Sequence, residues 1–282
     1  MKKIVLSDNR EVILDKMKIM GIINATPDSF YPGSRVSGIK EAVDRAKFMV
    51  DNGAKIIDIG GESTRPGAMP VNSEEETERI IDIIKNIKLE IPDICISVDT
   101  YNAYTAEKAV CAGADIINDI SGMTFDPNMI NIVKEYNVPI VIMHTNDRPS
   151  VMQDRICYKD VLKEVYEFLY NQMNKLTQIG INKNKIIIDP GIGFGKLPEQ
   201  NLKLIKNFSI FNDLGAINLI GVSRKGFIRQ YLKVDQGDAA MLGSVAIAGY
   251  LYNKYLDIVR VHDVYEHNIL INMMYEIDRE GE

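Results

Sequence analysis

Eight apolar runs in the sequence each end in side chains that can bind a ligand or ionise. Their chemistry falls into two groups. The third, fourth and sixth runs end in Asp99, Asn118 and Asp189, short side chains that follow buried segments. A carboxylate placed so is tolerated only where donors meet it, and a ligand ring carrying N–H groups supplies them. The second group is cationic. Arg65 follows the second run, Lys225 the seventh, and the eighth carries Arg260 and His262. Such a set suits an anionic group such as phosphate. The first run ends in Asn24-Ala25-Thr26-Pro27-Asp28 and the fifth in His144-Thr145. One polar strand end is ordinary, because it meets water. Eight together, with both charge signs, point to a shared site.

The elements that must position these groups alternate. The apolar runs lie at 18–23, 55–59, 94–98, 115–118, 138–143, 185–188, 217–222 and 257–261. Most are nearly continuous in apolar residues, as expected of strands buried on both faces in a parallel sheet. Helical spacing occupies the intervals at 39–52, 73–90, 103–112, 128–136, 160–179, 200–208, 239–252 and 262–277. The helix at 73–90 opens on Ser73 and Glu76, the spacing of a capping box. Eightfold alternation predicts an α/β fold, most simply a closed (β/α)8 TIM barrel, with a doubly wound open sheet as runner-up. Chemistry then belongs where strands run into the following loops. The opening residues 1–16 read as an N-terminal β-hairpin that could plug the barrel bottom, and the whole chain, 1–282, as one domain.

Several other patterns carry less. GIGFGK at 191–196 has three residues between Gly191 and Gly195, not four, and Leu197 follows the lysine, so it is no phosphate loop. A glycine loop around a buried Phe194 is the better reading. His262 and His267 stand five apart, off one helical face, so no zinc site is read. The acids Glu74, Glu75 and Glu76 suit the first turn of a helix. Cys95, Cys111 and Cys157 show neither zinc nor redox spacing, which fits free thiols in a reducing cytoplasm.

With 46% apolar and 26% charged residues, the chain has the composition of a folded soluble protein rather than a disordered one. The formal charge of −6 disfavours nucleic acid or an anionic membrane as partner, though not a small anion in a local basic pocket. The first residues, MKKIVLSDNREVIL, lack the apolar core of a signal peptide, and no run is long enough to span a membrane.

The segments MGIINATPDSF, DIGGESTRPGA, SVDT, IINDISG, IDPGIGFGK, VSRK and RVHDV stand in order from Met20 to Val264, one per strand end. Together they resemble the dihydropteroate synthases, the pterin-binding enzymes of folate biosynthesis. The resemblance implies a (β/α)8 barrel that condenses 6-hydroxymethyl-7,8-dihydropterin diphosphate with 4-aminobenzoate, releasing diphosphate. It implies that Asp99, Asn118 and Asp189 hold the pterin, with Asp99 also stabilising positive charge on its methylene. Lys225 would contact the pterin ring, and Arg260 and His262 would hold the diphosphate with the loop carrying Thr64 and Arg65. Pro66, Phe194 and Lys225 would form the aminobenzoate slot, the place that sulfonamides occupy in this family. Asn24 would help coordinate Mg2+, and the enzyme would be a cytoplasmic homodimer.

Three departures accompany the match. After TPDSF the family usually continues Ser-Asp-Gly-Gly; here Tyr31-Pro32-Gly33-Ser34 follows, so Pro32 stands where a first-loop aspartate is usual. The fifth strand ends Met143-His144-Thr145-Asn146-Asp147 rather than Met-His-Met-x-Gly. Gly226 follows Lys225 where a serine often meets the benzoate carboxylate; its backbone N–H remains. Two other readings compete with a working synthase. One is a non-catalytic pterin-binding paralogue. The other is a methyltetrahydrofolate-dependent methyltransferase, against which the TRPG loop and SRK cluster argue, since a folate methyl donor has no diphosphate to hold.

Overall fold

The computed structural model describes residues 2–25, 38–64, 67–234 and 237–280. Two short strands open it, β1 (Lys2–Val5) and β2 (Glu11–Leu14), paired antiparallel with Lys2 opposite Leu14. Their turn needs one residue in the left-handed region, and Asn9 takes it with φ 67°. Asparagine tolerates that conformation better than other residues with a side chain.

Strands β3 (Lys18–Asn24), β4 (Ala54–Gly60), β5 (Cys95–Asp99), β6 (Ile116–Asp119), β7 (Ile140–Met143), β8 (Ile186–Asp189), β9 (Ile217–Gly221) and β10 (Ile258–Val261) follow. Each pairs with the next in parallel, and β10 closes on β3, so the sheet is a barrel and the open-sheet alternative falls. Helices α1 (Ile39–Asp51), α2 (Ser73–Glu90), α3 (Ala103–Cys111), α4 (Met129–Tyr136), α5 (Val161–Gln178) and α6 (Pro198–Lys206) connect successive strands. Between β9 and β10 stand two helices, α7 (Gly226–Leu232) and α8 (Asp238–Tyr252), and α9 (Val264–Arg279) ends the fold. Among the described residues no helix is long and apolar enough to cross a membrane.

Strand periodicity decides what the barrel contains. Met20, Ile56, Cys95, Ile116, Val141, Ile187, Leu219 and Ile258 project into the lower interior, where Ile4, Leu6 and Leu14 of the hairpin close the apolar layer from below. The hairpin thus plugs the bottom as expected. Burying each large apolar side chain there is worth about 1.5–3 kcal/mol. Side chains two residues further along a strand share its face. On β4, β6, β8 and β10 those are Asp58, Asn118, Asp189 and Arg260, a polar layer on the apolar one.

Two local expectations need correction. Helix α7 departs from the sequence pattern, which predicts only the 239–252 helix between the last two strands. Its seven residues are too few for periodicity to show, and burial of Phe227 and Ile228 holds them. The cap of α2 is Asn72, whose side chain accepts from Glu75 N at 2.8 Å, and not Ser73. Glu76 makes no capping box either. Its carboxylate is buried and accepts from Thr100 Oγ1, Asn102 Nδ2 and Thr105 Oγ1 at 3.0, 2.9 and 2.7 Å, fastening α2 to the segment after β5.

Candidate active site

A cavity of about 600 Å3 opens at the C-terminal ends of the barrel strands. Asn24, Thr64, Asp99, Phe194, Lys225, Arg260 and His262 line it. Asn118 and Asp189 lie buried in the strands that form its floor. Arg65 and Pro66, and the Pro32 segment, lie outside the described residues.

The floor is built around Arg260. Its Nε donates to Asp58 Oδ2 and its Nη2 to Asp99 Oδ2, both at 2.6 Å. Asn118 Nδ2 donates to the same Asp58 oxygen at 3.1 Å. One guanidinium thus serves two buried carboxylates, and the second oxygens, Asp58 Oδ1 and Asp99 Oδ1, are buried without a partner. Burial pushes the Asp99 carboxyl up to about 7 against the pull of Arg260. Burial lowers the Arg260 guanidinium, but the two carboxylates outweigh it and hold it above its ordinary value. Asp189 accepts from Gly191 N at 2.7 Å, and burial pushes its carboxyl up to about 6.

Asp58 was missed at the sequence level because it sits inside an apolar run rather than at its end. A carboxylate set among Ile56, Ile57 and Ile59 was the signal that could have found it.

The rim is set by loop geometry. Lys225 Nζ lies 4.2 Å from the centre of the Phe194 ring, a cation–π contact, and burial lowers its ammonium to about 8. The preceding residue, Arg224, adopts a left-handed φ of 53°. Its side chain forks onto Asp263, Nε to Oδ2 at 2.9 Å and Nη2 to Oδ1 at 2.7 Å, while Nη1 reaches Gly237 O at 2.9 Å. This clamp joins the loop after β9 to the end of β10 and so fixes where Lys225 starts. His262 is oriented by Ser223 Oγ, 3.0 Å from Nδ1, and its Nε2 lies 3.4 Å from Asn24 Nδ2.

The glycine loop forms around buried Phe194, as expected. Gly191, Gly193 and Gly195 all have positive φ. A Cβ at Gly191 would overlap the His144 carbonyl, and one at Gly195 the Asn146 amide. Lys196 is buried and donates to three backbone carbonyls, His144 O, Gly191 O and Phe194 O, at 3.2, 2.8 and 2.9 Å. Asn146, one of the departures after the fifth strand, donates to Met152 O and Arg155 O, both at 3.1 Å. Those bonds fold the segment after β7 back on itself, and the same amide packs closely against Gly195.

Not every strand end serves the mouth. His144 is buried against the Phe168 ring, edge-on at 5.0 Å, and burial holds it well below its usual range. Asp119 accepts from Ser121 N, Ser121 Oγ and Met123 N, which shapes a turn. Thr64 follows Glu62, which is anchored by Tyr101 Oη at 2.6 Å. His267 faces its own helix, with Nδ1 2.7 Å from Asp263 O.

A family described as pterin binding enzyme matches residues 20–262. The dihydropteroate synthase of Synechocystis sp. is 43% identical over 246 residues, covering 87% of this chain and 85% of that protein. Among solved structures, Xanthomonas albilineans dihydropteroate synthase with 4-aminobenzoic acid superposes with a TM-score of 0.90 at 33% identity, over 98% of both chains. Yersinia pestis dihydropteroate synthase in a sulfonamide complex gives 0.92 at 32% identity, over 98% of this chain and 99% of that one.

Proposed function

The chain belongs to the pterin-binding enzymes as a member of the dihydropteroate synthase family, and from that premise we propose how its mouth condenses 6-hydroxymethyl-7,8-dihydropterin diphosphate with 4-aminobenzoate. The observation that carries the residue assignments is the Asp58–Arg260–Asp99 bridge with its two unpartnered carboxylate oxygens. A pterin ring, rich in N–H and amino donors, satisfies such oxygens. A simple apolar ligand would leave them orphaned at a cost of about 1–3 kcal/mol each.

Asp99, Asn118 and Asp189 hold the pterin, with Asp58 added to the set. As the C–O bond to diphosphate breaks, positive charge grows on the pterin methylene, and the Asp99 carboxylate stabilises it. The amine nitrogen of 4-aminobenzoate then forms the new C–N bond and loses a proton. No protein nucleophile is required, so positioning and charge carry the rate. Arg260 commits Nε and Nη2 to the floor and keeps Nη1 for the diphosphate. His262, Thr64 and Arg65 complete that anion site, and Phe194, Lys225 and Pro66 frame the aminobenzoate slot, where a sulfonamide would compete.

The described residues hold no cluster of three or more acidic, histidine or cysteine ligands. Among the described residues Asn24 offers one neutral oxygen, Oδ1, since Nδ2 faces His262. That fits Mg2+ carried largely by substrate oxygens and water, as this ion prefers. When bound there it would neutralise charge on the departing diphosphate.

The test is a coupled diphosphate-release assay. Release is expected only with both substrates and Mg2+ present; a protein that binds the pterin diphosphate yet never releases diphosphate to 4-aminobenzoate refutes the reading.

The assembly proposed is a homodimer. Tyr265, Ile269, Met273 and Ile277 form an exposed apolar stripe at fourfold spacing along α9, and Leu242 and Tyr250 are exposed on α8, which packs against α9. Contiguous apolar surface of this kind marks an interaction site. Light scattering should give twice the 31.8 kDa chain mass, and Ile269→Glu with Leu242→Glu should give the single mass. A wild-type monomer would remove the proposal. The three unpaired cysteines suit a reducing compartment, and the cytoplasm is the one proposed.

A further inference from the structure

In the synthase reading, 4-aminobenzoate points its amine toward Asp99 on the floor. Its carboxylate, at the opposite end of a rigid ring, must then lie out toward the rim, where a partner of positive charge is needed. Most described cations around the mouth are already engaged. Arg260 is bridged between Asp58 and Asp99, Arg224 is forked onto Asp263, Lys196 is ringed by carbonyls and Lys225 lies on Phe194.

Arg229 is different. It lines the same cavity from α7, yet among the described residues no ion pair, hydrogen bond or ring contact engages its guanidinium, and its Nε is buried without a partner. The side chain folds back along the helix, so that a Cβ at Gly226 would lie 3.8 Å from Nη2. Gly226 adds no side chain between Lys225 and this guanidinium. A partly buried cation with no carboxylate of its own is costly to keep, unless a ligand anion meets it. The planar fork of arginine matches a carboxylate through two parallel hydrogen bonds.

We propose that Arg229 receives the carboxylate of 4-aminobenzoate and sets the enzyme's preference for an aromatic acid over its neutral amide. The inference rests on the synthase reading, and it gives the carboxylate a charged partner where the family's usual serine hydroxyl is missing.

The experiment compares 4-aminobenzoate with 4-aminobenzamide as acceptor, in wild type, Arg229→Gln and Arg229→Lys. Arg229→Gln should raise KM for 4-aminobenzoate by about tenfold or more, the size of one lost charge-assisted contact. KM for the pterin diphosphate and the melting temperature should hold. The acid-over-amide ratio in kcat/KM should fall by a similar factor, and Arg229→Lys, which keeps the charge without the fork, should retain part of it. Adding Gly226→Ser to Arg229→Gln should recover part of the lost affinity. A ratio in Arg229→Gln within about twofold of wild type, in an active and folded protein, overturns the assignment and leaves the synthase reading standing. A wild-type protein that releases no diphosphate overturns the synthase reading, and this assignment with it.

Discussion

Asp99→Asn is expected to lower kcat by about a hundredfold or more, the scale of losing one preorganised charge at a reacting centre. The substitution is isosteric and keeps an oxygen that can accept from Arg260 Nη2, now 2.6 Å from Asp99 Oδ2. It also leaves the Arg260–Asp58 pair intact, so no buried charge is stranded. The sign of the stability effect follows from the pKa. Burial pushes the Asp99 carboxyl up to about 7, above its ordinary value, so ionised Asp99 costs folding stability, a cost that grows as pH rises from the ordinary carboxylate range to about 7. At pH 8 the asparagine removes that cost, and the melting temperature should hold or rise. In wild type, kcat/KM should fall as pH drops through about 7, where Asp99 takes its proton. In the variant the acid limb should move down toward the value near 6 that belongs to Asp189. Steady-state kinetics across pH and thermal melts check both halves. A kcat within about threefold of wild type, roughly 0.7 kcal/mol on the barrier, removes Asp99 from its assigned role.

Arg260→Met should act on stability and turnover together. It strands two buried carboxylates, Asp58 at 0% exposure and Asp99 at 6%, in one small volume. Breaking a buried pair from one side costs about 3–5 kcal/mol, because the charge left behind has no compensation. For a chain of this size that is a fall of about 5–8 °C in melting temperature. The diphosphate would also lose Nη1, so turnover should fall by about a hundredfold or more. Adding Asp58→Asn removes one of the stranded charges. The double variant should regain part of the melting temperature and none of the activity. A single variant that melts within a degree or two of wild type would show that the bridge is not what holds the floor together.

These two residues also show how far the sequence carries. Asp99 was legible because it ends an apolar run, and in a parallel barrel run ends face the mouth. Arg260 was legible as a cation for phosphate, but its second task was not. Its partners come from β4 and β5, more than 150 residues away in the chain. Asp58 stayed hidden among isoleucines, since periodicity alone does not say which face of a doubly buried strand points inward. The register did, by setting Asp58 above Ile56 on the interior face. His144 and Asp119 show the other limit. Both end strands, yet one packs under α5 and the other caps a turn.

By itself, the order of apolar runs and polar ends determined an eightfold α/β repeat, a hairpin ahead of it, and the polar residues gathered at one end. Those follow from local spacing, which each segment carries in its own sequence. Only the tertiary structure decided how the charges share one another. Closing β10 onto β3 brings Arg260 between two carboxylates, and the left-handed turn at Arg224 sets Lys225 on Phe194. The same short helix, invisible to periodicity at seven residues, leaves Arg229 at the rim with no partner among the described residues. Electrostatic coupling depends on distances across the barrel, and no local pattern encodes those.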